Sequence, residues 1–208
     1  MERGTKERIM EAALRLFAQN GYVATSMQDI AARLGITKAA LYKHYGSKRE
    51  IFDAILAKMR QTDLEEAQAH KMPEGLSEEM PEAYRGISPE TIRVYTKAMF
   101  LHWTQDAFAA DFRKMLTLEQ YRDAEMAALY QMYLAEGPVA YMTDVFRPMT
   151  DSDEAARQLA LALYGPIFLL YSIYDGAADK APVLAQADRH LERFTPNRNT
   201  RYSLFTIL

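Results

Sequence analysis

Between Met27 and Tyr45 the chain places a hydroxyl, two lysines, a tyrosine and a histidine on Thr37, Lys38, Tyr42, Lys43 and His44, with the small Ala39 and Ala40 between them. Cations and hydroxyl donors separated by little bulk suit a surface that lies along a nucleic-acid groove. The cations meet phosphate oxygens on the walls, and the short side chains let the backbone approach base edges. Lys48 adds a cation at the first turn of a helix, where the dipole disfavours it unless an anion such as a DNA phosphate stands opposite. Bond-breaking chemistry is not signalled. The serines, aspartates and histidines are accompanied by no nucleophile elbow, phosphate loop or metal-binding helix motif, so an enzyme is not expected. Cysteine is absent, and His44, His70, His102 and His190 show no ligand spacing, so neither a metal nor another cofactor is expected.

The surrounding pattern supplies the elements that would hold those side chains. Met27, Ile30, Ala31 and Leu34 repeat at the spacing of one helical face, and Gly35 provides the left-handed stop. Thr37 is an N-cap for a short helix from Lys38 to about His44, so two helices meet across a gap of about three residues, the proportion of a helix-turn-helix. Upstream, Ile9, Ala12, Ala13, Leu16 and Phe17 form the stripe of a first helix that ends at Asn20-Gly21, and Ser26 with Asp29 caps the second. Downstream, Ser47 and Glu50 form a capping box for a fourth helix to about His70, with Ile51, Phe52, Ile55, Leu56 and Met59 as its buried stripe.

These residues together resemble the DNA-binding domain of the TetR family of bacterial transcriptional regulators. The resemblance runs from about Thr5 to Met59 and rests on the IMEAALRLF segment at Ile9–Phe17, on Asn20-Gly21-Tyr22 and on Thr25-Ser26-Met27-Gln28-Asp29-Ile30-Ala31. Gly35, Thr37, Ala40-Leu41-Tyr42, Tyr45 and Ser47-Lys48 complete it. It implies that Thr25, Ser26, Thr37, Lys38, Tyr42, His44, Tyr45 and Lys48 contact DNA, mostly at phosphates, with Ala39, Lys43 and His44 nearest the bases. It also implies an all-helical body whose last two long helices pair with their twins in a dimer and whose middle helices enclose a ligand.

Charge distribution agrees. The chain has a formal net charge of −3, yet residues 1–50 hold nine Lys and Arg against five Asp and Glu. A basic end on an acidic remainder fits one DNA-facing surface. The expected organisation is all-α. Residues 1–47 form a helix-turn-helix head, and a fourth helix joins it to a ligand-binding and dimerisation body over 48–208. The charged stretch Glu2–Arg8 argues against a signal peptide, so a cytoplasmic location is expected.

In the body, Met72–Pro89 reads as a mobile connection rich in proline, glycine and glutamate. Helices are expected near Pro89–Trp103, Asp106–Lys114, Thr117–Glu136, Pro138–Phe146, Asp151–Asp175 and Asp179–Phe194. The uncharged run Gln158–Tyr174 is short of a membrane span and carries Gly165-Pro166, so it reads as a buried helix kinked at Pro166. It is apolar on two faces and needs two partners, one of them a second copy of the chain. Leu159, Leu163, Ile167, Leu170, Leu184 and Leu191 are the expected interface. Aromatic and methionine side chains crowd the body, and Phe100, Trp103, Tyr121, Tyr130, Tyr133, Tyr164 and Phe168 are the expected lining of a site for a small apolar or aromatic molecule. The tail Thr195–Leu208 has no assigned element.

The expected function is that of a homodimeric repressor that binds a palindromic DNA operator and is released by a small-molecule effector. A constitutive or architectural DNA binder of the same fold is the alternative. The sequence names neither the operator nor the effector, nor does it separate repression from activation.

Overall fold

A computed structural model describes residues 4–74 and 79–194; the tail 195–208 lies outside the described residues. Among the described residues the regular structure is all helical, without a strand. In order these are α1 (Thr5–Asn20), α2 (Met27–Leu34), α3 (Lys38–Tyr42), α4 (Lys48–Ala69), α5 (Pro81–Arg85) and α6 (Pro89–Gln105). They continue with α7 (Ala107–Glu119), α8 (Ala124–Leu134), α9 (Glu136–Phe146), a 3-10 turn at Arg147–Met149, α10 (Asp153–Gly176) and α11 (Ala181–Arg193). By compactness the helices form two units, one drawn from residues 1–66 and 101–134, the other from 67–100 and 135–208. This division does not coincide with the boundary expected at 47/48.

In the first unit α1 packs along α7, and α7 against α8. Ile9, Met10, Ala13, Leu14 and Phe17 turn inward from α1, and Ala109, Ala110, Phe112, Met115 and Leu116 from α7. The alanines let the helix axes approach, while the large side chains each contribute about 1.5–3 kcal/mol by leaving water. α4 buries Ile51, Phe52, Ile55, Leu56 and Met59. Tyr22 joins the two layers, its ring centroid 5.0 Å from that of Phe17 and 5.1 Å from that of Phe52.

Two expected elements are corrected. The single helix expected over Thr117–Glu136 is broken: α7 ends at Glu119, and the Asp123 carboxylate accepts from the Met126 amide at 3.0 Å to start α8. Asp and Asn compete with helical backbone bonds wherever their own side chain can cap instead. The connection expected over Met72–Pro89 contains α5, a turn too short to show a helical period. Pro81 opens it at a position where the missing amide costs nothing, and buried Tyr84 and Ile87 anchor it.

In the second unit α10 lies against α9 and α11. Leu159, Leu163, Ile167 and Leu170 face those helices with Val139, Met142, Val145, Phe146, Val183, Ala187 and Leu191, all buried. A ring nitrogen of His190 meets the Leu163 carbonyl at 2.9 Å, and Phe100 stacks on Tyr171 at 5.5 Å. α10 continues through Pro166 as one helix. It is also long and apolar enough to cross a membrane by length and composition alone.

Most of the residues expected at a dimer interface pack inside the protomer. Leu159, Leu163, Ile167, Leu170 and Leu191 are consumed inside the protomer, and Leu184 is half-buried. The apolar face left open on α10 is a different one, made by Leu161, Phe168, Leu169 and Ile173, of which Leu169 is 60% exposed.

Candidate nucleic-acid interface

α2 and α3 are short helices whose ends are fixed by side chains. Ser26 Oγ accepts from the Asp29 amide at 3.2 Å, and the Asp29 carboxylate accepts from the Ser26 amide at 2.8 Å and from its hydroxyl at 2.6 Å. Those hydrogen bonds favour the ionised form and hold the Asp29 carboxyl below its ordinary range. Gly35 ends α2 in the left-handed region at φ 67°, and its amide returns to the carbonyls of Ala31 and Ala32. Thr37 Oγ1 then accepts from the Ala40 amide at 3.1 Å, starting α3 within two residues of that stop.

Leu41 is fully buried beneath α3. With that residue inward, Thr37, Lys38, Ala39, Tyr42 and Lys43 are exposed, and His44 is half-buried at the end of the turn. Tyr42 keeps 44% of its surface in solvent, and the Lys38 ammonium stands 5.8 Å from the centroid of its ring. The result is a narrow ridge carrying two lysines and three hydroxyl or imidazole donors, supported from below by apolar packing. Such a ridge can enter a major groove while its lysines meet phosphates.

Four expected contact residues have other partners. Thr25 is 2% exposed and its hydroxyl donates to the Gly21 carbonyl at 2.8 Å. Tyr45 is 8% exposed, its hydroxyl donates to the Lys6 carbonyl at 3.3 Å, and burial raises the phenol above its ordinary range. Ser26 is exposed, but its hydroxyl is engaged in the cap. Lys48 donates to the carbonyls of Tyr22 at 2.6 Å, Thr25 at 2.8 Å and Val23 at 3.3 Å, which uses the three donors of an ammonium. Burial lowers its pKa, and Glu119 partly opposes that. What offsets the dipole at the start of α4 is therefore the α1–α2 turn. Lys48 also sits 4.3 Å above the Tyr22 ring, a pairing across 26 positions that leaves no local pattern.

The head is tied to the rest of its unit by charge as well. Arg49 makes a two-pronged pair with Glu125 of α8 at 2.6 and 2.8 Å and a further contact with Asp53 at 2.7 Å. The carboxylates hold the guanidinium above its ordinary pKa. Glu125 was not singled out from sequence, because a pairing across 76 positions leaves no local pattern.

Of the residues expected to line a ligand site, Trp103 and Tyr133 come together in the first unit with Phe112. Their ring centroids are 6.3 Å apart for Trp103–Tyr133 and 5.1 Å for Phe112–Tyr133. Tyr130 is half-buried, but Tyr121 is 89% exposed and is corrected to a surface residue. In the second unit Phe100 is 1% exposed in the core, while Tyr164 and Phe168 meet at 6.1 Å with Phe168 on the open face of α10. A cavity of about 380 Å³ in the first unit is lined by none of the seven expected residues. It is bounded by Glu7 and Glu11 of α1, Lys58 and Thr62 of α4, and His102 and Phe108 at the α6–α7 corner, among others.

Residues 9–55 match the family model for bacterial regulatory proteins of the tetR family. Over 46 residues the chain is 48% identical to the HTH-type transcriptional regulator YerO of Bacillus subtilis, a stretch covering 22% of this chain and 16% of that protein. Over 48 residues it is 42% identical to IcaR of Staphylococcus aureus, a negative transcriptional regulator of the icaADBC biofilm operon, covering 23% of this chain and 26% of that protein. The chain thus spans about a quarter or less of the length of these relatives. Its fold is that of a TetR-like transcriptional regulator from Rhodococcus sp. RHA1, with a TM-score of 0.64 and 19% identity over 93% of this chain and 97% of that one. The protein of the SmeT–triclosan complex is similar in fold at a TM-score of 0.61 and 16% identity, over 91% of this chain and 89% of that one.

Proposed function

We propose that the chain is a regulator of the TetR family, whose family model its residues 9–55 match, and that it acts as a homodimeric repressor of transcription, released from its operator by a small molecule. The observation that carries the DNA-binding half is the α3 ridge, where Lys38, Tyr42 and Lys43 stand exposed on a helix capped at its start by Thr37 and seated on Leu41. Residues 1–47 are the DNA-binding part in this reading. Lys38 and Lys43 meet phosphates, and Ala39, Lys43 and His44 lie nearest the base edges.

A single α3 reads only a few base pairs, so the proposal includes two of them. The open α10 face of Leu161, Phe168, Leu169 and Ile173 supports pairing with a second copy, since an apolar stripe left to water is costly. Two ridges spaced by roughly 34 Å, one turn of B-DNA, would read a palindrome from one side. Repression is proposed by likeness to IcaR, which its name describes as a negative regulator.

Release follows if the effector favours a state with altered spacing of the two ridges. α4 begins at Lys48, directly after the head, and ends at Ala69 in the second unit, so it is the helix proposed to carry the change. The Trp103–Phe112–Tyr133 cluster is the aromatic seat of this reading. A second seat is favoured by volume: the cavity at α1, α4 and the α6–α7 corner is within the size range of small-molecule sites. Sedimentation of the protein with a duplex carrying its site should give two protomers per duplex, and a one-to-one complex would contradict the dimeric reading.

A further inference from the structure

Glu119, the last residue of α7, has a side chain with 0% exposure, and neither carboxylate oxygen accepts a hydrogen bond. In that condition a buried carboxylate is stable as an anion only if positive charge stands close by. Arg122 Nη1 is 3.6 Å away, but that arginine is 60% exposed and held three residues along the same corner. Lys48 is the other cation at this corner: it sits on the carbonyls of the turn whose first residue, Gly21, lies against Glu119, and Glu119 favours its charged form against the cost of burial.

The carboxylate also reaches the head directly. Gly21 ends α1 at φ 90°, and a Cβ built there would fall 2.2 Å from Glu119 Oε1. The absent side chain at position 21 is therefore the opening through which α7 places an anion beneath the α1–α2 turn. Gly21 opens that turn, Lys48 binds its carbonyls at Tyr22, Val23 and Thr25, and Ser26 at its end caps α2.

We propose that Glu119 is a positioning residue for DNA binding: its charge keeps Lys48 on the carbonyls of the Gly21–Ser26 turn and over the Tyr22 ring, which fixes the start of α2. The groove-facing helix pair then takes its position from α7 through one buried charge. The part of this inference that concerns DNA rests on the function proposed above; the part that concerns the turn stands without it.

The test is Glu119→Gln in the full chain, which keeps size and removes charge. In the free protein the Lys48 ε-methylene protons lie over the Tyr22 ring and are shifted upfield by it. In the variant they move towards the position of a solvent-exposed lysine, and the Ser26 amide exchanges about tenfold faster, a loss of about 1.4 kcal/mol of local protection. In a Lys48→Met background Glu119→Gln causes no further loss, because both changes break one interaction. Glu119→Asp, which keeps the charge, retains the Lys48 signal and separates lost charge from lost packing if the amide variant folds poorly. Operator affinity of Glu119→Gln falls about tenfold while the slope against salt is unchanged, since no phosphate contact is lost.

An unmoved Lys48 signal with wild-type Ser26 exchange overturns the proposal, as do independent effects that add in the double variant. A loosened turn with full operator affinity overturns its DNA half. Failure of the wild-type protein to bind any duplex would sink the proposed function and leave the turn measurement standing.

Discussion

The Lys48 ammonium stands 4.3 Å from the centroid of the Tyr22 ring and donates to the carbonyl of the same residue at 2.6 Å. One cation thereby closes the α1–α2 turn from both its aromatic and its backbone side. Lys48→Met should destabilise the fold by about 1.5–3 kcal/mol, because three carbonyls lose their donor and a buried carboxylate loses the charge that favours it. The dependence of log K on log salt separates structural from phosphate-binding roles: it should keep its wild-type slope, whereas a lost phosphate contact would lower it by about 0.9.

Lys38 and Lys43 should behave in the opposite way. Both are exposed on α3 and neither supports the core. Replacing either with Met should leave thermal stability within about 0.5 kcal/mol and lower the salt slope by about 0.9. A variant that melts early with an unchanged slope would place that lysine in the fold rather than on DNA.

Asp63 of α4 predicts a pH dependence. Its Oδ1 is buried without a hydrogen bond, and burial, aided by nearby Glu66, pushes the carboxyl up to about 7. Because this is above the ordinary value of about 3.9, the folded state binds the proton more tightly than the unfolded chain does. The contribution to stability is full below pH ~4 and is lost as pH rises to about 7. Asp63→Asn should therefore flatten the fall in melting temperature between pH 5 and pH 8 and melt higher than wild type at pH 8 (~1 pH unit beyond the titration). Parallel melting profiles for the two proteins would contradict this.

The two faces of α10 should respond differently to a charge. Leu169→Glu or Ile173→Glu alters the exposed face and should yield folded monomers by sedimentation, with helical content unchanged. Leu163→Ala lies on the inner face at 1% exposure and should cost about 2–5 kcal/mol of stability without first changing the oligomeric state. A Leu169→Glu protein that remains dimeric would move the interface elsewhere.

The helices were legible where their signals are local. Met27, Ile30 and Ala31 are buried on α2 as their spacing predicts, and Ser26, Gly35 and Thr37 cap it and its neighbour as their types predict. Side-chain direction at the ends of those helices was not legible. Thr25 and Tyr45 have the chemistry of phosphate contacts, but their hydroxyls answer inward carbonyls at Gly21 and Lys6. On α10 the apolar period was plain, yet a helix apolar on two faces does not declare which one packs on its own chain. Leu163 and Ile167 went to α9 and α11, leaving Leu169 and Ile173 outside. Glu119 and Glu125 carried no signal at all, because Gly21 and Arg49 come next to them only after folding.

The central claim, that the α3 ridge reads an operator, is tested most directly by fluorescence anisotropy. A duplex from the region upstream of the protein's own gene is compared with a scrambled duplex of equal length, across a salt series. Binding tighter to the former by ~10³ or more at physiological salt is the result the account predicts. Equal binding to both, or binding to neither, would contradict it.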